Sequence, residues 1–203
     1  MKRSFLIATI VIIAALSLIP FSASAEKVPP FSVTDSDGSV HTSDDYRGKV
    51  LVIQIMFTGC PVCNRNMPDI VRAYHTSKQA YYEDLEFLSV SVDSGDTNDM
   101  MDEFMGEYEA DWPIAKETSF IEKFDAVEVP KIVIVNPLGD ITFEHKGLIS
   151  YEELVSEIEN AFVYVRSGRS SFWDIPFPFP VSLLVIPVTA WIVNRRRMKL
   201  RSF

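Results

Sequence analysis

From residue 31 to residue 162 the chain switches repeatedly between strand-like and helix-like spacing of its apolar residues. Phe31 to Thr34 and Ser39 to His41 flank Asp35-Ser36-Asp37-Gly38, whose turn-forming side chains predict a hairpin. Gly48-Lys49 then opens Val50 to Phe57, a run broken only by Gln54, which suits a strand buried on both faces. Asn64 to Tyr82 takes helical spacing, with Met67, Ile70, Val71 and Tyr74 on one side. Leu85 to Val92 is a second buried strand. Thr97 can cap a helix to about Tyr108, whose Met101, Phe104, Met105 and Tyr108 read as core filler. Thr118 to Phe124 predicts a short helix. Ile132 to Val135 and Ile141 to His145 flank the turn Pro137-Leu138-Gly139-Asp140 as a second hairpin. Ser150 caps a final helix with Glu153 at the capping-box position, and Leu154, Val155, Ile158 and Phe162 face inward. Strands and helices in this order imply an α/β sandwich around a mixed sheet.

The two ends have a different pattern. Lys2 and Arg3 precede an apolar run from Phe5 to Ile19, followed by Pro20 and Ala23-Ser24-Ala25. That order predicts a signal peptide over 1–25, since the run is short of the roughly 20 residues a spanning helix needs, with an uncleaved N-terminal anchor as the alternative. Phe177 to Val193 carries no charge and is followed by Arg195, Arg196, Arg197, Lys199 and Arg201. It predicts a transmembrane helix over 177–193, starting near Pro180, with Trp173 and Trp191 at the interfaces and a basic cytoplasmic tail over 194–203. The division expected is a domain over 26–162, a linker over 163–176, and then the anchor. The protein is then single-pass in the cell membrane, its domain on the extracytoplasmic side. A hydrophobic tail docked on the domain, or a sorting signal later removed, would give the same pattern.

Charge sharpens this division. The chain carries −9 overall, yet its two ends are net basic, so residues 26–162 are more acidic still. Phosphate contacts need Lys and Arg, and an acidic domain excludes nucleic acid as its partner.

The chain has two cysteines, Cys60 and Cys63, in Cys60-Pro61-Val62-Cys63, directly after a buried strand and at the start of a predicted helix. A disulfide closing so small a loop removes little unfolded-state entropy and is a poor staple. A helix N-terminus, by contrast, presents free N–H groups and a partial positive charge that favour thiolate at the first cysteine. A second thiol one turn on can resolve a mixed disulfide. Metal binding competes for the same residues, but two thiols need further ligands, and His41, His75 and His145 are not spaced as a local site.

These residues also carry a resemblance. Lys49-Val50-Leu51-Val52-Ile53-Gln54-Ile55-Met56-Phe57-Thr58-Gly59-Cys60-Pro61-Val62-Cys63 resembles the TlpA/ResA-like branch of the thioredoxin superfamily. Met67-Pro68, Ser89-Val90-Ser91-Val92-Asp93, and the tract Phe124 to Pro130 agree with that branch in order and spacing over about residues 30–162. The resemblance implies a thioredoxin-like fold with an N-terminal β-hairpin and an inserted strand–helix unit. It implies that Cys60 is the exposed nucleophile, Cys63 the buried resolving thiol, and Pro130 a cis-proline lying across the disulfide. The Val129 backbone would pair with the substrate chain, with Gly59 and Pro61 beside it.

Four departures bear on mechanism. Gly59 stands where relatives often have Trp. Gln54 occupies the place of a buried carboxylate that accepts a proton from the resolving cysteine, and Asn66 the place of a Glu in cytochrome-maturation members. Lys131, where a Thr commonly follows the cis-proline, would either help stabilise thiolate or be solvated. The implied activity is thiol–disulfide exchange, with reduction preferred over oxidation. It needs no cofactor and no metal. Its partners would be an exported protein with a disulfide or thiols, such as apocytochrome c, and a membrane-bound thiol electron donor, with the chain itself a monomer. A copper-binding or adaptor module on the same fold is the alternative, and relatives of that kind use a wider cysteine spacing and a positioned histidine. A peroxidase would need a pocket around Cys60 that the sequence does not display.

Overall fold

The computed structural model describes residues 26–167. Val50–Met56 (β3) is buried at every position, because it runs through the middle of a five-stranded sheet. Leu85–Ser91 (β4) pairs with it in parallel on one side, and Ile114–Lys116 (β5) pairs in parallel with β4 at the edge. On the other side Lys131–Val135 (β6) and Ile141–Lys146 (β7) add two antiparallel strands. The order is β5-β4-β3-β6-β7.

Strand periodicity decides which face each side chain meets. Val50, Val52 and Met56 of β3 and Ile132 and Ile134 of β6 point into one core, together with Cys63, Met67 and Ile70. That core lies under helix α1 (Pro61–Tyr81), helix α2 (Asn98–Glu107) and helix α4 (Tyr151–Ser167). Leu51, Ile53 and Ile55, with Val133 and Val135, point the opposite way, toward Phe31, Val33, Phe120 and Phe124. These last two bracket the short helix α3 (Phe120–Lys123). The result is a sheet covered on both faces, the arrangement that near-continuous apolar strands require.

The hairpin is present as β1 (Ser32–Thr34) against β2 (Val40–Thr42), forming a separate two-stranded sheet. Ser36 N–H donates to the Ile114 carbonyl at 2.9 Å, and Asp35 bridges Ala115, so the hairpin caps the exposed edge of β5. The second hairpin turns through Gly139 at φ 81°, a left-handed conformation that glycine adopts without steric cost. Asn136 Oδ1 accepts from the N–H groups of Leu138 and Asp140 and closes that turn.

The structure differs from the sequence reading at several boundaries. Helix α1 begins at Pro61 rather than Asn64, so the segment between the cysteines is itself helical. Proline at the first helical position gives up an N–H that has no partner there in any case. β5 escaped detection because three residues are too few to display a period. It is followed directly by the short helix at Phe120–Lys123, so a strand–helix pair lies between β4 and β6. Only half of the capping box at Ser150 forms: its hydroxyl accepts from the Glu153 N–H at 3.2 Å, while the Glu153 side chain lies 3.7 Å from His145. Helix α4 runs to Ser167, so residues 163–167 are helical rather than linker. No helix among the described residues is long and apolar enough to cross a membrane. The signal peptide expected over 1–25, the transmembrane helix over 177–193 and the basic tail lie outside the described residues.

Candidate active site

β3 ends at Met56 and the chain leaves the sheet through Phe57, Thr58 and Gly59 to reach Cys60, the N-cap of α1. Cys60 and Cys63 are joined as a disulfide, with their Cα atoms 5.2 Å apart. The Cys63 N–H donates to Cys60 Sγ at 3.1 Å. One of the free donors of the helix terminus is therefore aimed at the Cys60 sulfur, an arrangement that favours thiolate over thiol there. Cys63 is fully buried, as expected of a resolving thiol. Cys60 is only 3 % exposed, which corrects the expectation of an exposed nucleophile. In the oxidised form its sulfur is bonded back toward the core, within the same apolar cluster as Met67 and Ile132.

The Val129–Pro130 peptide bond is cis. β6 pairs with β3 through Ile55 and Lys131, and this register carries Val129 and Pro130 alongside the loop that leaves β3. The Pro130 carbonyl accepts from the Gly147 N–H at 2.8 Å. Neither the N–H nor the carbonyl of Val129 has a backbone partner among the described residues. Gly59 and Pro61 are exposed on either side of Cys60. A cleft of about 380 Å³ opens between Phe57 of this loop and Val129; Val92, Ile121, Ala126 and Val127 make most of its wall, with Asp93, Ser94 and Thr118 at its polar part, and no cysteine lines it. Val127 is 77 % exposed, so apolar surface continues from the cleft to the outside. A larger hollow of about 900 Å³ lies at the other end of β3, among Arg47, Lys49, Lys78, Glu86 and Asp111. Lys49 and Lys78 both pair there with Glu86, and no cysteine lines it.

Gln54 shares the face of the sheet that holds Cys63 and is 1 % exposed. Its Nε2 donates to Met67 Sδ at 3.3 Å, while Oε1 accepts from the Ser89 hydroxyl at 2.9 Å. Trp112 Nε1 donates in turn to that hydroxyl at 2.9 Å. The chain from Trp112 to Met67 is polar, satisfied and neutral throughout. It has no group able to take a proton from Cys63 near neutral pH. Asn66 is equally buried but bonds elsewhere. Its Nδ2 donates to the Ile149 carbonyl at 2.7 Å, and its Oδ1 accepts from the Ile149 N–H at 3.1 Å. This amide fastens the first turns of α1 to the segment entering α4.

Lys131 corrects both readings made of it. It is 2 % exposed, donates to the Phe124 carbonyl and pairs with Glu144 at 2.7 Å. Its strand parity is that of Val133 and Val135, which places the ammonium on the face of the sheet opposite Cys63. It is neither solvated nor beside the sulfurs.

Sequence reading missed Asp96, a carboxylate 2 % exposed at the end of the loop that leaves β4. It accepts from the Thr58 N–H at 2.9 Å, the Thr58 hydroxyl at 2.6 Å and the Ser91 hydroxyl at 2.5 Å. The available signal was an acidic residue a few positions past a buried strand that ends in serine. A pattern so common points nowhere without the fold.

The histidines are engaged elsewhere or apart. His41 lies between Asp35, at 2.8 Å, and the Tyr46 hydroxyl, at 3.1 Å. Partial burial pulls the Asp35 carboxyl upward, but the hydrogen bonds from His41 and from the Ser39 N–H more than offset it and hold it below the usual carboxylate range. Burial raises the Tyr46 phenol well above its ordinary value. His145 Nε2 bonds the Leu148 carbonyl at 2.8 Å, and His75 is exposed on α1. No group of three or more metal-ligating side chains converges among the described residues.

Comparison with known proteins agrees with this geometry. The SCO1/SenC family matches residues 21–113. The thiol-disulfide oxidoreductase ResA of Bacillus thuringiensis subsp. konkukian is 24% identical over 131 residues, covering 64% of this chain and 73% of the relative. ResA of Bacillus subtilis (strain 168) is 23% identical over 145 residues, covering 70% and 76%. Among solved structures, a thiol:disulfide interchange protein of the thioredoxin family from Chlorobium tepidum TLS superposes with a TM-score of 0.60 at 19% identity, covering 69% of this chain and 98% of the other. StoA from Bacillus subtilis superposes with a TM-score of 0.53 at 16% identity, covering 64% and 96%. These superpositions establish a thioredoxin-like α/β fold, and the chain is similar in sequence to the TlpA/ResA-like thiol-disulfide oxidoreductases; with Cys60 and Cys63 paired at a spacing of three, it is a protein-disulfide oxidoreductase of thioredoxin-like fold.

Proposed function

We propose that the protein is a membrane-tethered, extracytoplasmic reductase of disulfides in exported proteins, apocytochrome c among them. The observation that carries the proposal is the Cys60–Cys63 disulfide at the start of α1, with the Cys63 N–H on the Cys60 sulfur. Two electrons and two protons from a membrane-bound dithiol donor open that disulfide, and the donor becomes oxidised. The Cys60 thiolate then attacks a client disulfide. One S–S bond forms between Cys60 and the client as the client's own S–S bond breaks and its second sulfur leaves as thiolate. Cys63 loses its proton and attacks Cys60 in turn, which releases the reduced client and restores the starting disulfide.

The surroundings support each role. Val129 offers an unused N–H and carbonyl next to the sulfurs, suited to pairing with an extended client segment. The apolar cleft beside it receives a client side chain. Cys63 has no carboxylate among its buried neighbours on β3 and α1, where Gln54 and Asn66 stand instead, so its proton leaves through water or through the client. Tethering rests on the apolar segment 177–193 and the basic residues after it.

Insulin reduction by the full-length chain in detergent tests the exchange reading. Activity should be present in the native protein and lost in Cys60→Ser, and activity retained in that variant would sink the mechanism. Direction is tested by equilibration with glutathione buffers. Reduction requires a potential nearer the thioredoxin value of about −270 mV than the strongly oxidising value of about −120 mV.

A further inference from the structure

The Cys60 loop leaves the sheet where the ladder can no longer hold it. The final hydrogen bond between β4 and β3 runs from the Val92 N–H to the Met56 carbonyl. Beyond it, Thr58 is held by Asp96, whose Oδ2 accepts from the backbone N–H and whose Oδ1 accepts from the hydroxyl. The carboxylate is itself oriented from two sides. The Ser91 hydroxyl donates to Oδ2, and Lys116 Nζ, from the edge strand β5, donates to the Asp96 backbone carbonyl at 2.7 Å. Asp93 contributes through its backbone: its carbonyl accepts from the Asp96 N–H, and its own N–H donates to the Ser91 hydroxyl at 3.3 Å. A buried carboxylate with three donors and no cationic side chain on its oxygens is costly to assemble unless every bond is kept.

We infer that Asp96 is the positioning residue of the nucleophile: by holding Thr58 it keeps the Cys60 sulfur on the Cys63 N–H. The inference rests on the thiol-exchange reading. Its effect passes through geometry, because Thr58 lies two residues before Cys60 and the intervening Gly59 is exposed and carries no side chain to anchor. The charge of Asp96 acts in the opposite sense, since a nearby anion disfavours thiolate. Position and charge therefore predict shifts of opposite sign, which makes them separable.

The test is the absorbance of the Cys60 thiolate against pH, in the full-length chain carrying Cys63→Ser so that a single thiol titrates. Asp96→Ala frees Thr58 and should raise the midpoint by about one pH unit, a tenfold smaller thiolate fraction at a pH below the midpoint. Asp96→Asn keeps an acceptor oxygen for the Thr58 N–H and the Ser91 hydroxyl, and the Thr58 hydroxyl alone reverses to accept from its amide. It should rescue the native midpoint or lie slightly below it. Thr58→Val removes only the hydroxyl bond at a half-buried position and should raise the midpoint by a smaller amount. An unchanged midpoint in Thr58→Val overturns the inference whether or not Asp96→Ala folds. A lowered midpoint in Asp96→Ala or Thr58→Val overturns it in favour of a role through charge alone. The titration uses no client, so failure of the native protein to reduce insulin would remove the exchange reading and leave this readout standing.

Discussion

Replacing Asn66 with alanine separates a structural amide from a proton carrier. The native side chain is 1 % exposed and makes two hydrogen bonds to one residue, Ile149, at 2.7 and 3.1 Å. Alanine removes both and leaves a backbone N–H and a carbonyl facing apolar neighbours. An unsatisfied buried group costs about 1–3 kcal/mol, so the pair should cost about 2–5 kcal/mol, the lower figure applying if water enters the space. Against a typical domain stability of about 5–15 kcal/mol, such a loss is easily measured. Urea unfolding of reduced Asn66→Ala should show a lower midpoint with an unchanged slope. Thiol exchange by the fraction still folded should stay within about twofold of native, because Asn66 holds α1 against the segment entering α4 and transfers no proton. A stability loss below about 1 kcal/mol combined with a large drop in exchange rate would refute this reasoning and place Asn66 in the chemistry.

Three further outcomes are expected from the described contacts. Gln54→Glu puts a carboxyl on the Cys63 side of the sheet while keeping an acceptor for Ser89; stopped-flow decay of the mixed disulfide should quicken, and urea unfolding should show lower stability from the partnerless buried charge. Lys131→Met should leave the Cys60 thiolate titration unchanged because the ammonium lies on the opposite face of the sheet, although freeing the Phe124 carbonyl and Glu144 should lower the melting temperature. The Asp35 carboxyl titrates below its ordinary 3.8, so its contribution to stability is full above that value and is lost as pH falls through the lower, folded value. The protection factors of β1 and β2 amides, taken against intrinsic exchange at each pH, should therefore fall on acidification below about pH 4 in the native chain, and Asp35→Asn should remove that dependence.

The features legible in the sequence are those that chemistry fixes locally. Cys60 and Cys63 sit on one helical turn, and a buried strand before them is visible as an apolar run, so the site could be placed without knowing the sheet order. Gln54 and Asn66 were recognisable as departures, but their roles depend on partners 35 and 83 residues away. No spacing along the chain reveals that Asn66 will meet Ile149. Lys131 is a different case. Its parity with Val133 and Val135 was present in the sequence, and the alternation of a strand would have turned it away from the cysteines once β6 was recognised as central. Asp96 was hidden because a loop acid is usually solvated. Only the return of the β3 loop toward the end of β4 encloses it.

Helices α1 and α4 set a polarity for the whole domain. Both begin beside the cysteines, where Asn66 grips Ile149, and both run the same way until Tyr81 stacks on Phe162 with ring centroids 4.1 Å apart. At 1.5 Å per residue the 21 residues of α1 cover about 30 Å. These two clamps, one near each end of α1, leave α4 no freedom to roll or slide along it, so the seat of Cys60 and Cys63 at the start of α1 is fixed from the far end of the helix as well as from the near one.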